Sequence, residues 1–348
     1  MTNQDVLDEA NERLHRTGPE FRGWLSNHGP MAADALMRLG RGDEVPGWVA
    51  GYEQRLQPAP DSRWRITEQE WRDPLGDPSR LGDWLELFTL LVRQEPWEQV
   101  LTRWWPRLLP GAAASSTHGL IRTGHVVRAL RERVSTARLD ELAQALGYWA
   151  ARWQPVPGYQ PAHGDRGVGA ALDALPQVAM DDDWGMRARL AELGQTPGWA
   201  PALSAHRPPT KAADVPAALD ALTDAAVARY QRWAHGDPIM LIHAATAPRA
   251  AALVLPSLPT QLWHTTYHAA WAVSAAITTA YRPHRPVPVT DQAPSPNPTV
   301  EQVAELAAGN HDEHVIKFAE VATESHHRGN LTALPAAASA ATLIVPNW

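Results

Sequence analysis

The sequence predicts an all-α protein, and three observations lead to that class. Apolar residues recur three and four positions apart, which places them on one face of a helix. Proline and glycine interrupt this pattern where helices would end. No segment alternates apolar and polar residues as a half-buried strand does, and there is no internal repeat. We therefore expect one domain, residues 1–348, in which helices form an array around a buried site.

The predicted helices follow one another with short breaks. In the first half of the chain they lie at 4–16, 31–39, 46–56, 80–94, 96–109, from His118 onward, and at 137–152. In the second half they lie at 185–194, 212–234, 238–246, 259–281, around His314 and Lys317, and at 331–343. Residues 154–166 are predicted to form a loop. The stretch 283–299 holds six prolines and is expected to be a linker or a flap over a site.

Proline and short polar side chains mark several of the helix starts. Pro30 suits the first turn of a helix, where its missing N–H does no harm. The run Ser115–Thr117 offers a hydroxyl cap just before His118. Asp237 is a natural N-cap for the helix that follows it. Pro248 is expected to kink or end that helix.

Charge and composition exclude several partners and cofactors. A formal charge of −7 argues against nucleic acid or an anionic membrane as the partner. The chain has no cysteine, which excludes disulfides, iron–sulfur clusters and cysteine nucleophiles. The polar N-terminus is not a signal peptide, and we expect no apolar run of membrane-spanning length. These features predict a cytoplasmic protein.

The aromatic residues are mostly tryptophan, with 16 Trp against three Phe and six Tyr. A GC-rich genome would produce such a bias, along with the many arginine, alanine and proline residues. Alternatively, the indole rings line a pocket for a flat aromatic substrate. Composition alone leaves both interpretations open.

Lys317 is an unusual residue for its position. Only two of the 31 basic residues are lysines, and the other, Lys211, lies in a proline-rich segment that predicts exposure. Lys317 shares a helix face with His314 and Phe318, which point toward the interior. A buried lysine can become a neutral amine, whereas arginine keeps its proton. Lys317 is therefore either a lysine that reaches to the surface or an amine that carbon dioxide converts to a carbamate.

Four of the 15 histidines stand out because they occur in apolar segments or next to tight turns. These four are His28, His118, His243 and His314. Each alone is more often a hydrogen-bonded core histidine than a metal ligand. Seven others occur in polar or loop segments and are predicted to be solvated: His15, His163, His206, His235, His284, His326 and His327. Four have intermediate surroundings: His125, His264, His268 and His311.

The segments around these histidines resemble the questin oxidase-like family. The strings are Asn27-His28, then His118-Gly119-Leu120-Ile121-Arg122, then His243-Ala244-Ala245-Thr246, then His314-Val315-Ile316-Lys317. They match, in order, the family's elements NH, H-x-x-I-R/H, H-x-x-T and H-x-I-K. The resemblance extends over residues 20–325, although 58–80 and 283–299 match nothing in it.

The resemblance implies an all-helical oxygenase that opens a ring or cleaves a C–C bond of anthraquinone-type polyketides in a Baeyer–Villiger-type reaction. Oxygen chemistry without flavin, haem or iron–sulfur ligands needs another metal, and imidazole with an anionic oxygen suits non-haem iron. The matched ligands are His28, His118, His243 and His314, with a carbamate on Lys317 as the anionic ligand. Family members are associated with NADPH, but this sequence has no dinucleotide-binding fingerprint.

Other residues and functions remain open at this point. Asp312 and Glu313 are expected to point away from the face of His314. His125 and His311 are the alternative ligands, because each shares a predicted helix with a chosen one. The candidates for contact with the substrate are Trp24, Trp104, Trp105 and Arg122. A Zn²⁺ or Mn²⁺ hydrolase with the same ligands, or a helical binding protein without a metal, is the alternative function.

Overall fold

A computed structural model describes residues 2–178, 186–287 and 297–346, and it confirms the all-α class. The described residues contain sixteen α-helices. Their only sheet is a hairpin of two short antiparallel strands, β1 (Glu20–Phe21) and β2 (Leu25–Ser26), in which Glu20 pairs with Ser26. The chain divides into two compact units, Met1–Pro155 with Leu253–Pro259, and Val156–Ala252 with Thr260–Trp348. The expectation of a single domain stays a prediction.

The first unit contains seven helices among its described residues. They are α1 (Asn3–Leu14), α2 (Gly29–Arg38), α3 (Val45–Tyr52), α4 (Leu81–Gln94), α5 (Trp97–Leu108), α6 (His118–Glu132) and α7 (Thr136–Ala151). Helix α6 is buried on all sides from its first residue to Leu130, and it packs against α2 and α7. The close approach of α7 requires a small residue, because a Cβ added to Gly119 would lie 2.5 Å from the Trp149 side chain.

The second unit holds the remaining nine helices of the described residues. They are α8 (Val168–Asp173), α9 (Met186–Leu193), α10 (Trp199–Ser204), α11 (Val215–Trp233), α12 (Pro238–Val254), α13 (Trp263–Tyr281), α14 (Val300–Asn310), α15 (Glu313–His327) and α16 (Ala333–Leu343). Helix α15 packs against α14, α16 and α11. Its residues from Glu313 to Ala322 are buried, and these include the charged side chains of Glu313, Lys317 and Glu320.

Most predicted helices are present, and their ends differ from the predictions by a few residues. Three helices were not predicted: α8, α10 and α14. Two of these have six residues each, which is too short for a helical period to show. The helix predicted around His314 and Lys317 does not include His311: it begins at Glu313, and His311 has a left-handed backbone and ends α14. Most of the stretch 283–299 lies outside the described residues.

Pro248 does not end its helix, and α12 continues to Val254. A proline has no N–H to donate to the carbonyl four residues earlier, which here belongs to Ala244. The Ser274 hydroxyl donates to that carbonyl at 2.7 Å and satisfies it. The apolar segment Pro238–Ser257 is therefore long enough, by length and composition, to cross a membrane, contrary to our expectation. Its apolar window is 72% buried, which is typical of a core helix.

Candidate metal centre

His28 and His118 form a ring pair in the first unit. Their ring centroids lie 4.3 Å apart and the ring planes are nearly perpendicular, at 84°. Both residues are buried. His28 immediately precedes α2, and His118 is the first residue of α6, so the packing of these two helices brings the rings together. Two of the four predicted ligands thus meet across a wide separation in the sequence.

The residues on either side of His28 fix the turn on which it lies. The backbone N–H of His28 donates to the Tyr52 hydroxyl at 2.6 Å. The Asn27 side chain accepts from the Gly29 N–H at 2.9 Å. A Cβ on Gly29 would lie 2.5 Å from a methyl carbon of Leu14, so a larger residue would displace the Leu14 side chain of α1. The backbone that carries the His28 imidazole is therefore held in place.

Three consecutive residues before His118 have left-handed backbone conformations, which is rare for residues other than glycine. The φ angles of Ser115, Ser116 and Thr117 are 44°, 57° and 70°. Each such residue costs about 1 kcal/mol or more, and strain of this kind concentrates at functional sites. The predicted hydroxyl cap of α6 was wrong, since Thr117 makes no side-chain cap. The hydroxyl residues instead form a strained turn that carries the Ser115 carbonyl back to His118.

The strained turn determines which nitrogen of His118 carries the proton. Nδ1 of His118 contacts the carbonyl oxygen of Ser115. A carbonyl only accepts hydrogen bonds, so Nδ1 must carry the hydrogen and donate it. In a neutral ring, Nε2 then has the lone pair. Metal-binding histidines commonly show this arrangement, in which one ring nitrogen donates to a fixed acceptor and the other binds the metal.

His243 and His314 form a second ring pair, in the second unit. Their ring centroids lie 5.3 Å apart with an angle of 66° between the rings, and both residues are buried. Nδ1 of His243 lies 3.1 Å from the carbonyl oxygen of Ile239, one turn earlier in α12. The carbonyl again requires Nδ1 to be the donor, which leaves the lone pair on Nε2. His243 therefore repeats the arrangement found at His118.

Asp312 orients His314, and the expectation that its side chain points away was wrong. Its carboxylate caps α15 by accepting from the backbone N–H of His314 at 2.8 Å. The same oxygen, Oδ1, lies 3.2 Å from Nδ1 of the His314 ring. Burial raises the pKa of Asp312, but the hydrogen bonds from His314 outweigh burial and lower it, so the group is a carboxylate. A carboxylate on the far nitrogen of a histidine increases the basicity of the nitrogen that binds a metal.

Lys317 lies one helical turn after His314 and is fully enclosed, with 1% of its surface exposed. Among the described residues, its Nζ has no hydrogen-bond partner. Burial lowers the pKa of Lys317 from 10.5 to about 8, although Glu313 and Asp312 oppose part of this change. The neutral fraction at pH 7 is then about one in ten, several hundred times that of an exposed lysine. The alternative that Lys317 reaches the surface is wrong, whereas Lys211 is exposed as predicted.

The two alternative ligands have other surroundings. His125 is buried in α6, where its Nδ1 lies 2.8 Å from the Asp34 carboxylate. Arg128 donates to the same carboxylate, so His125 belongs to a buried ion cluster. His311 is exposed and ends α14.

The predicted substrate residues lie in three different environments. Trp24 is 63% exposed and lies in the turn between β1 and β2. Trp104 and Trp105 are fully buried in α5, where Trp105 packs edge-on against Trp149. Arg122 is fully buried and ion-paired with Glu141. The assignment of these residues to substrate binding stays a prediction.

His206 was predicted to be solvated, and that prediction was wrong because the residue is 2% exposed. Its ring lies against Trp271, with the centroids 4.4 Å apart. Nδ1 lies 3.2 Å from the Arg166 carbonyl oxygen, and Nε2 contacts the Tyr267 hydroxyl. Burial lowers the pKa of His206 to about 4. The proline-rich segment after His206 suggested exposure, and no signal near it in the sequence reveals the aromatic residues that cover it.

Comparison of the chain with protein-family models and with curated proteins found no match. The resemblance to the questin oxidase-like family therefore rests on the four ordered strings around the histidines and stays a prediction. The ring pairs and their hydrogen bonds are independent of that resemblance.

Proposed function

We propose that His28, His118, His243 and His314 hold one transition-metal ion and that the protein is a non-haem iron oxygenase. The observation that carries the proposal is the common hydrogen bonding of three of these buried rings. His118, His243 and His314 each have Nδ1 against an acceptor from their own segment. Nε2 is thereby the coordinating nitrogen in each case.

The donor set suits a first-row transition metal. Neutral imidazoles bind iron, zinc, copper and nickel, whereas magnesium and calcium prefer oxygen ligands. Two imidazoles of each unit already lie ring against ring, so little further ordering within each pair is required when it binds a metal. When bound, iron would supply the oxygen chemistry that the side chains of this chain lack. The protein itself contributes fixed imidazoles and a buried setting for them.

We propose further that the amine of Lys317 is carboxylated. The nitrogen lone pair of its neutral form attacks the carbon of carbon dioxide, so that a C–N bond forms while one C=O π bond becomes a C–O⁻ bond. The nitrogen then loses a proton to water and leaves an anionic carbamate. Helix α15 supports this role, because it places the amine one turn from His314 in a buried setting. An anionic oxygen ligand lowers the net charge of a site built from neutral imidazoles. This change favours the higher oxidation states used in oxygen chemistry.

The substrate class follows from the resemblance: a flat, polycyclic aromatic compound whose ring is opened with molecular oxygen. In this proposal the protein acts in the cytoplasm on a small molecule, without nucleic acid or membrane. NADPH enters as the external electron donor only if turnover requires it. A zinc hydrolase is the second candidate, because the same imidazoles also bind zinc.

Metal analysis of freshly purified protein tests the ligand set. We expect close to one iron per chain, and a large loss of bound metal in His118→Ala and His243→Ala. His163→Ala is the matched control, since His163 is an exposed loop residue. Full metal content in both ligand variants would show that the ligand set is wrong. Zinc in place of iron, with no oxygen uptake on adding an anthraquinone, would favour the hydrolase.

The carbamate has its own test, which does not depend on turnover. Protein equilibrated with ¹³C-labelled bicarbonate should show a carbamate carbon signal that is absent in Lys317→Arg and Lys317→Ala. Iron-dependent activity should be lost in both variants and partly restored in Lys317→Ala by short carboxylic acids. Full activity in Lys317→Arg would eliminate the carbamate and leave a site of four histidines, because a guanidinium cannot be carboxylated.

A further inference from the structure

Arg122 has an environment that its ion pair does not fully explain. It lies one turn after His118 on α6 and is completely buried. Its Nε and Nη2 donate to the two oxygens of Glu141 at 2.5 and 2.6 Å. Nη2 also donates to the side-chain oxygen of Gln144 at 3.1 Å. These hydrogen bonds therefore fix the orientation of the guanidinium plane.

Glu141 is a carboxylate whose two oxygens both have partners within the protein. Burial raises the pKa of Glu141, but Arg122 and then His15 outweigh burial and lower it. His15 contacts Oε2 of Glu141 at 2.7 Å, so both carboxylate oxygens are occupied. The charge of Arg122 is thus balanced from one side, and its orientation is fixed before any ligand arrives.

One nitrogen of the guanidinium, Nη1, has no acceptor among the described residues. Nη1 of Arg122 is buried, and no hydrogen-bond partner exists for it among the described residues. Arg138, the other completely buried arginine of this unit, shows the contrast. Its Nε donates to Asp8 at 2.6 Å, and its Nη1 donates to the Ala129 carbonyl at 2.7 Å. Buried donors are nearly always satisfied, so Nη1 of Arg122 is a donor that remains available to an acceptor from outside the chain.

We propose that Nη1 of Arg122 donates a hydrogen bond to a carbonyl or phenolate oxygen of the aromatic substrate. Arginine donates at every nitrogen and accepts at none, so its partner must be an acceptor. Residues four apart share a helix face, which places Arg122 on the side of α6 that carries His118. The inference deepens the proposed function, on which it rests for the substrate class. Arg122 is accordingly a specificity-determining residue that selects oxygenated polycycles over plain hydrocarbons.

A binding measurement on metal-free protein tests this role. Tryptophan fluorescence would report the affinity for a dihydroxyanthraquinone and for anthracene, which has the same three rings without oxygen. A hydrogen bond from a charged donor is worth about 10- to 100-fold in affinity. Arg122→Met should weaken the quinone by that factor and leave anthracene unchanged. Arg138→Met, in the same unit, should change neither affinity.

A second variant guards against misfolding. Arg122→Met leaves the buried Glu141 carboxylate without its arginine partner, whereas Arg122→Met with Glu141→Gln removes both charges and is better tolerated. The proposal is overturned if the folded double variant binds the quinone as tightly as wild type, because a buried water then satisfies Nη1. It is also overturned if wild-type protein does not prefer the quinone to anthracene. Failure of the proposed function appears separately, as absence of metal in the purified protein.

Discussion

Acid should destabilise the second unit through His206, because the buried imidazole resists protonation. Burial lowers its pKa from 6.5 to about 4, opposed in part by the Arg166 carbonyl. In the unfolded chain the same imidazole binds its proton near pH 6.5. The unfolded state thus holds more protons than the folded state between these two values, and stability falls as the pH falls. The contribution is intact above pH 6.5 and fully lost below about pH 4.

The size of the effect follows from the two pKa values of His206. The free energy of unfolding should fall by about 2 kcal/mol at pH 5 and about 3 kcal/mol at pH 4, relative to neutral pH. Other groups titrate in the same range, so the comparison must be between chains that differ at one position. His206→Phe keeps a ring against Trp271 and removes the titration. At pH 7 this variant loses the hydrogen bonds to Arg166 and Tyr267, which costs about 1–3 kcal/mol.

Urea unfolding of wild type and His206→Phe at several pH values measures the difference. We expect the variant to be the less stable at pH 7 and the gap to close or reverse by pH 5. The control is His163→Phe, since His163 is an exposed residue of the same unit and its replacement should leave the pH dependence unchanged. The reasoning would be refuted if the difference in unfolding free energy between wild type and His206→Phe changed by less than about 0.5 kcal/mol from pH 7 to pH 5.

Three further outcomes test the candidate metal centre and its surroundings. Asp312→Asn should lower metal affinity about 10- to 100-fold in a competition with a coloured chelator, because the orienting carboxylate becomes a neutral amide; unchanged affinity would remove Asp312 from the site. Gly119→Ala should cost about 1–3 kcal/mol in urea unfolding, because its Cβ would meet the Trp149 side chain at 2.5 Å. Gly47→Ala, whose Cβ would meet nothing within 4 Å, is the control, and equal stability of the two variants would contradict the packing argument. Lys317→Met should stabilise the metal-free protein by about 1–3 kcal/mol at pH 7, because a buried amine without a hydrogen-bond partner is replaced by an apolar chain; a less stable variant would show that the amine has a partner.

The helical class could be predicted from the sequence because the helical period is local. The Asp237 cap is confirmed, and its carboxylate accepts from the Met240 N–H at 2.9 Å. A cap is predictable because it involves only residues close together in the sequence. The strained turn at Ser115–Thr117 could not be predicted. Hydroxyl side chains before a helix favour a cap, and only the surrounding packing can impose three left-handed residues against that preference.

The sequence could identify the four candidate histidines, but it could not show which of them form ring pairs. Which imidazole meets which depends on helix packing between distant segments, as for His28 and His118. One orienting residue did have a local signal: Asp312 occupies the N-cap two residues before His314, where its oxygens reach the first backbone N–H groups. The same position lets the carboxylate reach the His314 ring. An acidic N-cap two residues before a buried histidine is therefore a pattern that sequence reasoning can use.

Three candidate ligands take their orienting acceptor from within four residues of themselves. His118 uses a carbonyl three positions back, His243 one four positions back, and His314 a side chain two positions back. Each of these histidines and the acceptor that orients its ring thus lie within one segment of three to five residues. Such segments could be transplanted into a designed helical scaffold with the direction of each imidazole preserved. For the same reason, related proteins could differ widely in the rest of their sequence and still keep the orientation of these three imidazoles.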